Sequence, residues 1–172
     1  IVLGGEHGIL LPIIEVLENH PEIDDLSQIT LIQIDAHADL RDTLNEERYS
    51  HGTVIKRCLD EGVGRVIQIG IRAYSEEESR IINDDDRIET WFARDILGVM
   101  ERNTGWPKLV KRISELEGPI WITFDIDGLD GGLVPSTGTP VPGGLSYWAA
   151  VELIERVFKS EKTKVIGADI NE

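Results

Sequence analysis

Several things are scarce in this sequence, and each scarcity excludes something. One cysteine in 172 residues leaves no disulfide framework within the chain and no thiolate-based zinc cluster, and it suits a reducing cytoplasm. Basic residues are few: 17 Lys and Arg against 32 Asp and Glu give a net charge of −15. Nucleic acid and anionic membrane both need a basic face, so that balance argues against them as partners. It favours cationic ligands, whether metal ions or an amine-bearing substrate. Apolar runs extend for only a few residues, so neither a transmembrane span nor a signal peptide is expected. The run Gly131–Gly144 has no Gly-Lys-Ser/Thr ending and is therefore no phosphate loop; Pro135, Pro140 and Pro142 make it a rigid, extended wall. The only methionine is Met100, and both ends fall within secondary structure. The expectation is one α/β domain over residues 1–172 that belongs to a longer protein.

What is present is alternation. Short β-branched runs are expected as strands at Ile1–Leu3, Ile29–Ile34, Arg65–Ile71, Ile88–Phe92, Ile120–Phe124 and Lys164–Ala168. Amphipathic stretches between them predict helices at Gly8–Asn19, Thr53–Glu61, Glu76–Ile82, a short piece after Phe92, Pro107–Leu116 and Tyr147–Phe158. This order implies a mainly parallel sheet covered by helices on both faces. Residues Asn83–Asp86 are expected to form a solvated loop.

Ligands of open parallel sheets gather at the carboxyl ends of the strands. Four such ends carry acids or histidines: Glu6-His7, Asp35-Ala-His37-Ala-Asp39, Asp125-Ile-Asp127 and Asp169-Ile-Asn171-Glu172. In extended chain, residues two apart point to one side, so Asp35, His37 and Asp39 can aim together, as can Asp125 and Asp127. With His7 this makes six candidate metal ligands. Unneutralised carboxylate pairs at ~4 Å repel by about 4 kcal/mol even at an effective dielectric of 20; divalent cations convert that cost into affinity. Carboxylate with imidazole and no thiolate suits Mn²⁺, with Ni²⁺, Fe²⁺ and Zn²⁺ as alternatives. Six ligands rich in bridging carboxylates fit two ions that activate a shared water.

Each piece also has an ordinary explanation. Asp84 and Asp86 show that Asp-x-Asp alone usually marks a turn or solvated edge. His20 before Pro21 reads as a dipole or capping residue in a last helical turn. Cys58 reads as core, and Trp91, Trp106, Trp121 and Trp148 mostly as packing. Asp-x-His-x-Asp directly after an apolar strand is a far sharper signal.

The segments Gly4-Gly5-Glu6-His7, Asp35–Asp39, Thr123–Asp127 and Pro135–Pro140 resemble the ureohydrolases, the arginase and agmatinase family, in matching order from residue 4 to residue 172. The resemblance implies the three-layer αβα fold shared by arginases and deacetylases, a dimanganese centre, and hydrolysis of a guanidino compound to urea and an amine. It assigns His7, Asp35, His37, Asp39, Asp125 and Asp127 as metal ligands, with Asp35 and Asp127 as the bridging carboxylates. It makes Glu172 the holder of the substrate guanidinium and His51 a loop histidine that contacts substrate or relays protons; Asp127 would also relay a proton to the leaving amine. Residues Asp39–His51 and Gly70–Glu77 look more like agmatinases than arginases, so agmatine is the expected substrate, with guanidine, guanidinobutyrate and arginine as alternatives. A non-catalytic metal-binding relative and a binuclear phosphoesterase are the rival classes. The resemblance further implies trimers or hexamers. Asp42, Glu46 and Glu47 would either face a substrate's distal ammonium or form a solvated loop. Three positions depart from the family pattern: Glu6 in place of Asp, Gly131 in place of Pro, and Ser136 in place of Gly.

Overall fold

In the computed structural model, residues 1–21, 23–98 and 105–172 are described. Their strands are β1 Val2–Leu3, β2 Thr30–Ile34, β3 Arg65–Ile71, β4 Ile88–Phe92, β5 Gly118–Asp125 and β6 Thr163–Asn171. All neighbours run parallel, in the order β1-β6-β5-β2-β3-β4. Parallel pairing sends every strand's carboxyl end to one rim, which is why sequence-distant ligands can meet there.

Helices α1 Leu10–Leu17, α2 Val54–Asp60 and α3 Glu76–Asp84 cover one face, and α4 Ala93–Leu97, α5 Gly105–Ser114 and α6 Tyr147–Lys159 the other. The strand period of two sorts side chains between these layers. On β2, Leu31 joins Leu10, Ile14, Ile55 and Cys58, while Ile32 and Ile34 join Leu109, Ile113 and Leu153. The structure is thus the αβα sandwich expected.

Local differences have local causes. The first helix is shorter than its apolar period suggests: His7–Ile9 is a single 3-10 turn, α1 follows it and stops at Leu17, so His20 lies beyond the helix. Residues Asn83 and Asp84 belong to α3 rather than to a loop. Ser75 and Glu78 form a capping box at its start, which strengthens helix growth through the acidic stretch. β6 runs on through Asn171, held by β5 over the full register, so Asp169 and Asn171 lie inside a strand. Trp121 is buried, but Trp148 is 75% exposed and meets Tyr147 edge-on with ring centroids 5.3 Å apart. Among the described residues, no helix is long and apolar enough to cross a membrane.

Candidate metal centre

The rim is built in rows. On the face toward α1 and α2, Leu31, Val66 and Trp121 form an apolar row. Two residues further along, Gln33 stands beside both Gln68 and Thr123, Gln68 beside Thr90, and Thr123 beside Asp169. Two further still come Asp35 and Asp125, with Asn171 beside Asp125. The sheet therefore passes from apolar, through polar, to ionisable in steps of one pleat.

His7 enters from the 3-10 turn after β1 and is completely buried. Its Nδ1 lies 2.9 Å from Asp39 Oδ2, 3.2 Å from Asp35 Oδ2 and 3.7 Å from Asp125 Oδ2, yet it makes no hydrogen bond. His37 Nδ1 lies 2.9 Å from Asp127 Oδ2 and 3.7 Å from Asp35 Oδ1. Two groups of ligand atoms result, His7–Asp35–Asp39 and Asp35–His37–Asp127, each with its atoms within 4.8 Å of one another. Asp35 alone belongs to both. Asp127 is confined to the second group: its Oδ1 accepts the Ala36 N–H at 3.0 Å, and its Oδ2 accepts the Thr139 hydroxyl at 3.3 Å. Asp125 borders the first group and accepts the Asp127 N–H at 3.0 Å through Oδ1.

Two backbone features bring these groups close. Asp39 adopts a left-handed φ of 54°, a conformation costly outside functional sites, and thereby turns its carboxylate back toward His7. Gly128 permits the approach of the Asp127 turn to β2, because a Cβ there would meet the Asp35 amide nitrogen at 2.7 Å.

The electrostatics without a cation are strained. Burial would lower the His7 imidazole, but Asp35 and Asp39 push it well above its ordinary value. Burial likewise opposes the charged His37, while Asp127 and Asp35 raise it to about 10. Asp35 is buried, which alone would raise it, but His37 and His7 hold it below the ordinary range. Burial and repulsion by Asp35 raise Asp39 to about 7, and burial with Asp35 and Asp127 raises Asp125 to about 9. The carboxyl groups of Asp35, Asp39 and Asp125 and two imidazoles, one with an orphaned nitrogen, compete here for protons. Divalent cations of the Mn²⁺ class would satisfy them all, so the residues present fit a two-ion site.

A cavity of about 450 Å³ borders both groups, touching the first through Asp39 and the second through His37, and its lining also includes Arg41, His51, Tyr74 and Thr139. The His51 backbone N–H donates to Glu6 Oε1 at 2.5 Å, and its Nδ1 lies 3.2 Å from the same oxygen. The longer acid at position 6 thus anchors the histidine's loop. Asp42 instead pairs with Arg57 at 2.7 Å, and Glu46 and Glu47 are exposed and lie outside the cavity lining. Glu172 follows the end of β6, and its carboxylate leaves no room for a side chain at Gly138, where a Cβ would sit 2.9 Å from Oε2.

Arg72 carries no role in the sequence analysis. Its guanidinium donates to Asp127 O at 2.7 Å, Leu129 O at 3.0 Å, Val141 O at 2.7 Å, Gly70 O at 3.0 Å and Pro142 O at 3.2 Å. It ties the proline-rich wall to the Asp127 turn. Its signal was available in Gly70-Ile-Arg72, directly after a strand, but five backbone carbonyls leave no sequence pattern.

Fold and ligand set together define a binuclear-metal αβα architecture. The family model described as the arginase family matches residues 1–172. An agmatinase of Pyrococcus horikoshii is 36% identical over 172 residues, covering 100% of this chain and 53% of its own length. A guanidinobutyrase of Pseudomonas aeruginosa is 32% identical over 183 residues, covering 100% of this chain and 52% of its own. The crystal structure of the agmatine ureohydrolase of Thermoplasma volcanium superimposes with a TM-score of 0.77 at 30% identity, over 99% of this chain and 52% of that one. This chain belongs to the arginase family. It spans about half the length of the curated relatives it matches.

Proposed function

We propose that this chain carries the catalytic centre of a metal-dependent amidinohydrolase, which cleaves a guanidino compound to urea and an amine, with agmatine as the favoured substrate. The observation that carries the proposal is the pair of candidate ligand groups joined at Asp35, both bordering a cavity that His51 lines. His7, Asp35, Asp39 and Asp125 would hold one ion, and Asp35, His37 and Asp127 the other, with Asp35 as the bridge. Two divalent ions so held would supply a water-derived nucleophile near neutral pH and Lewis acidity at the reacting carbon.

The chain's own residues supply the rest. Glu172 stands beside Gly138, next to the cavity-lining Thr139 though not itself in the lining; it would receive the planar guanidinium through paired charge-assisted hydrogen bonds and so fix the face presented for attack. Asp127, tethered by Ala36 and Thr139, would take the proton that the attacking water gives up as its oxygen bonds to the carbon and pass it to the departing nitrogen. His51 would exchange protons with solvent from its place on the cavity wall, held there by Glu6. Loss of the carbon–nitrogen bond then gives urea and a primary amine.

A urea-release assay on the whole protein, stripped and reloaded with Mn²⁺ or Ni²⁺, tests this directly. Agmatine, guanidinobutyrate, arginine and guanidine would be compared, with agmatine expected to give the highest kcat/KM. No urea from any of them, with metal bound, would end the proposal. One observation favours a guanidino acid instead. Arg41 lines the cavity and, among the described residues, its guanidinium pairs with Glu78 at 3.5 Å through Nε, so its terminal amino groups could receive a carboxylate tail. Preference for guanidinobutyrate over agmatine would select that reading.

A further inference from the structure

The polar row beneath the ligands has no part in holding substrate, and apolar residues would pack there at lower cost. Gln33, Gln68, Thr123 and Asp169 are all completely buried, and burying polar groups is unfavourable unless each is hydrogen-bonded. Here each is. Asp169 accepts three donors: the Trp121 indole N–H, the Thr123 hydroxyl at 2.7 Å and the Asn171 amide at 2.5 Å. Thr123 Oγ1 in turn lies 2.7 Å from His7 Nε2. Across the sheet, Thr90 donates to Gln68 Oε1 at 2.8 Å, Gln68 donates to Gln33 Oε1 at 2.7 Å, and Gln33 donates to Asp35 Oδ2 at 2.8 Å.

The directions of these bonds matter. A carboxylate can only accept, so the Thr123 proton is committed to Asp169. The Thr123 oxygen is then left to accept from His7, which places the His7 proton on Nε2. The lone pair of Nδ1 consequently faces Asp35, Asp39 and Asp125. Gln33 has a parallel part: its carbonyl is occupied by Gln68, so its amide N–H is what meets Asp35.

We propose that Thr123 and Asp169 form a positioning unit for one ion of the pair, fixing the His7 tautomer and ring orientation, while the Gln68–Gln33 chain orients the shared Asp35. The inference rests on the two-ion reading above. Outer hydrogen bonds of this kind typically alter metal affinity by roughly 10- to 100-fold.

The test counts Mn²⁺ bound to the whole protein, by electron paramagnetic resonance and by titration calorimetry. Asp169→Asn replaces one of the two acceptor oxygens by a donor, so Trp121, Thr123 and Asn171 must compete for a single oxygen, and Thr123→Val removes the acceptor for His7 without changing the side-chain shape. Either variant should weaken one Mn²⁺ by roughly 10- to 100-fold and leave the other unchanged. Thr123→Ser should restore both. Gln33→Leu should weaken both ions, because Asp35 is common to the two groups. If Asp169→Asn and Thr123→Val bind two ions with unchanged affinity, or lose both in parallel, the positioning unit is overturned while the two-ion reading stands. If the unaltered protein binds no Mn²⁺, the two-ion reading itself falls. Thr123→Ser failing to rescue a folded Thr123→Val phenotype also counts against the unit.

Discussion

The two ligand groups share Asp35 but little else in their surroundings. The His7 side is the drier of the two: His7 and Asp35 are completely buried, Asp39 at 4% exposure touches the cavity edge, and a polar row stands behind them. The His37 side is wet: the His37 side chain is 29% exposed and lines the cavity with His51. A buried group with fixed hydrogen-bond directions can hold an ion tightly, whereas an exposed one can exchange water and admit substrate. On the proposed two-ion reading, the His7 half would favour retention of its ion and the His37 half contact with substrate.

The largest expected effect comes from removing what the halves share. Asp35→Ala should cost both ions and bring urea release below detection, as measured by metal analysis alongside turnover; retention of one ion would show that the groups are independent. The next test separates them. His7→Asn and His37→Asn should each lose one Mn²⁺, and in the unaltered protein a chelator should strip the ions in two phases, with the His37-side ion leaving first. A single phase would break the comparison. Glu172→Gln should keep both ions yet raise KM by about 10- to 100-fold, the worth of a charge-assisted hydrogen bond of roughly 1.5–3 kcal/mol, as read from steady-state urea release.

Acidity offers a smaller and complementary test on metal-free protein. Asp39 and Asp125, raised from 3.8 to about 7 and about 9, retain protons when folded that they lose when unfolded. His37, raised from 6.5 to about 10, does the same between those values. Stability should therefore fall as pH rises from about 4 towards 10, and Mn²⁺ should remove most of that loss by replacing the protons. Thermal melts at pH 5, 7 and 9 with and without metal check the sign. Smallest of all, Asp84→Asn should shift stability by less than about 0.5 kcal/mol and leave metal binding intact.

That last variant shows what sequence can convey. Asp84 and Asp86 share the spacing of Asp125 and Asp127, but only the latter pair follows an apolar strand flanked by other strands. Strand-end position marked these residues as candidate ligands, because parallel pairing carries every such end to one rim. The helical cover was legible from apolar period for the same reason: one face must be buried. The polar row was not. Gln33, Gln68 and Thr123 look like interruptions of apolar strands until register places them side by side. Nor was the Glu6–His51 contact, whose partners lie 45 residues apart, or the Arg72 clamp, which binds backbone rather than side chains. Hydrogen bonds between distant segments are set by topology, and a single chain read along its length carries no mark of them.

The pairing of β1 with β6 has a consequence for biosynthesis. Val2 adjoins Asp169, so the first residues of this segment leave the ribosome long before the strand that seats them exists. His7 must wait, exposed and unoriented, until Thr123 and then Asp169 have been translated. Such distant partners make docking slow relative to local helix formation. The surroundings of His7 are thus completed only after β5 and β6 have both been made, whereas local helices such as α1 can form earlier.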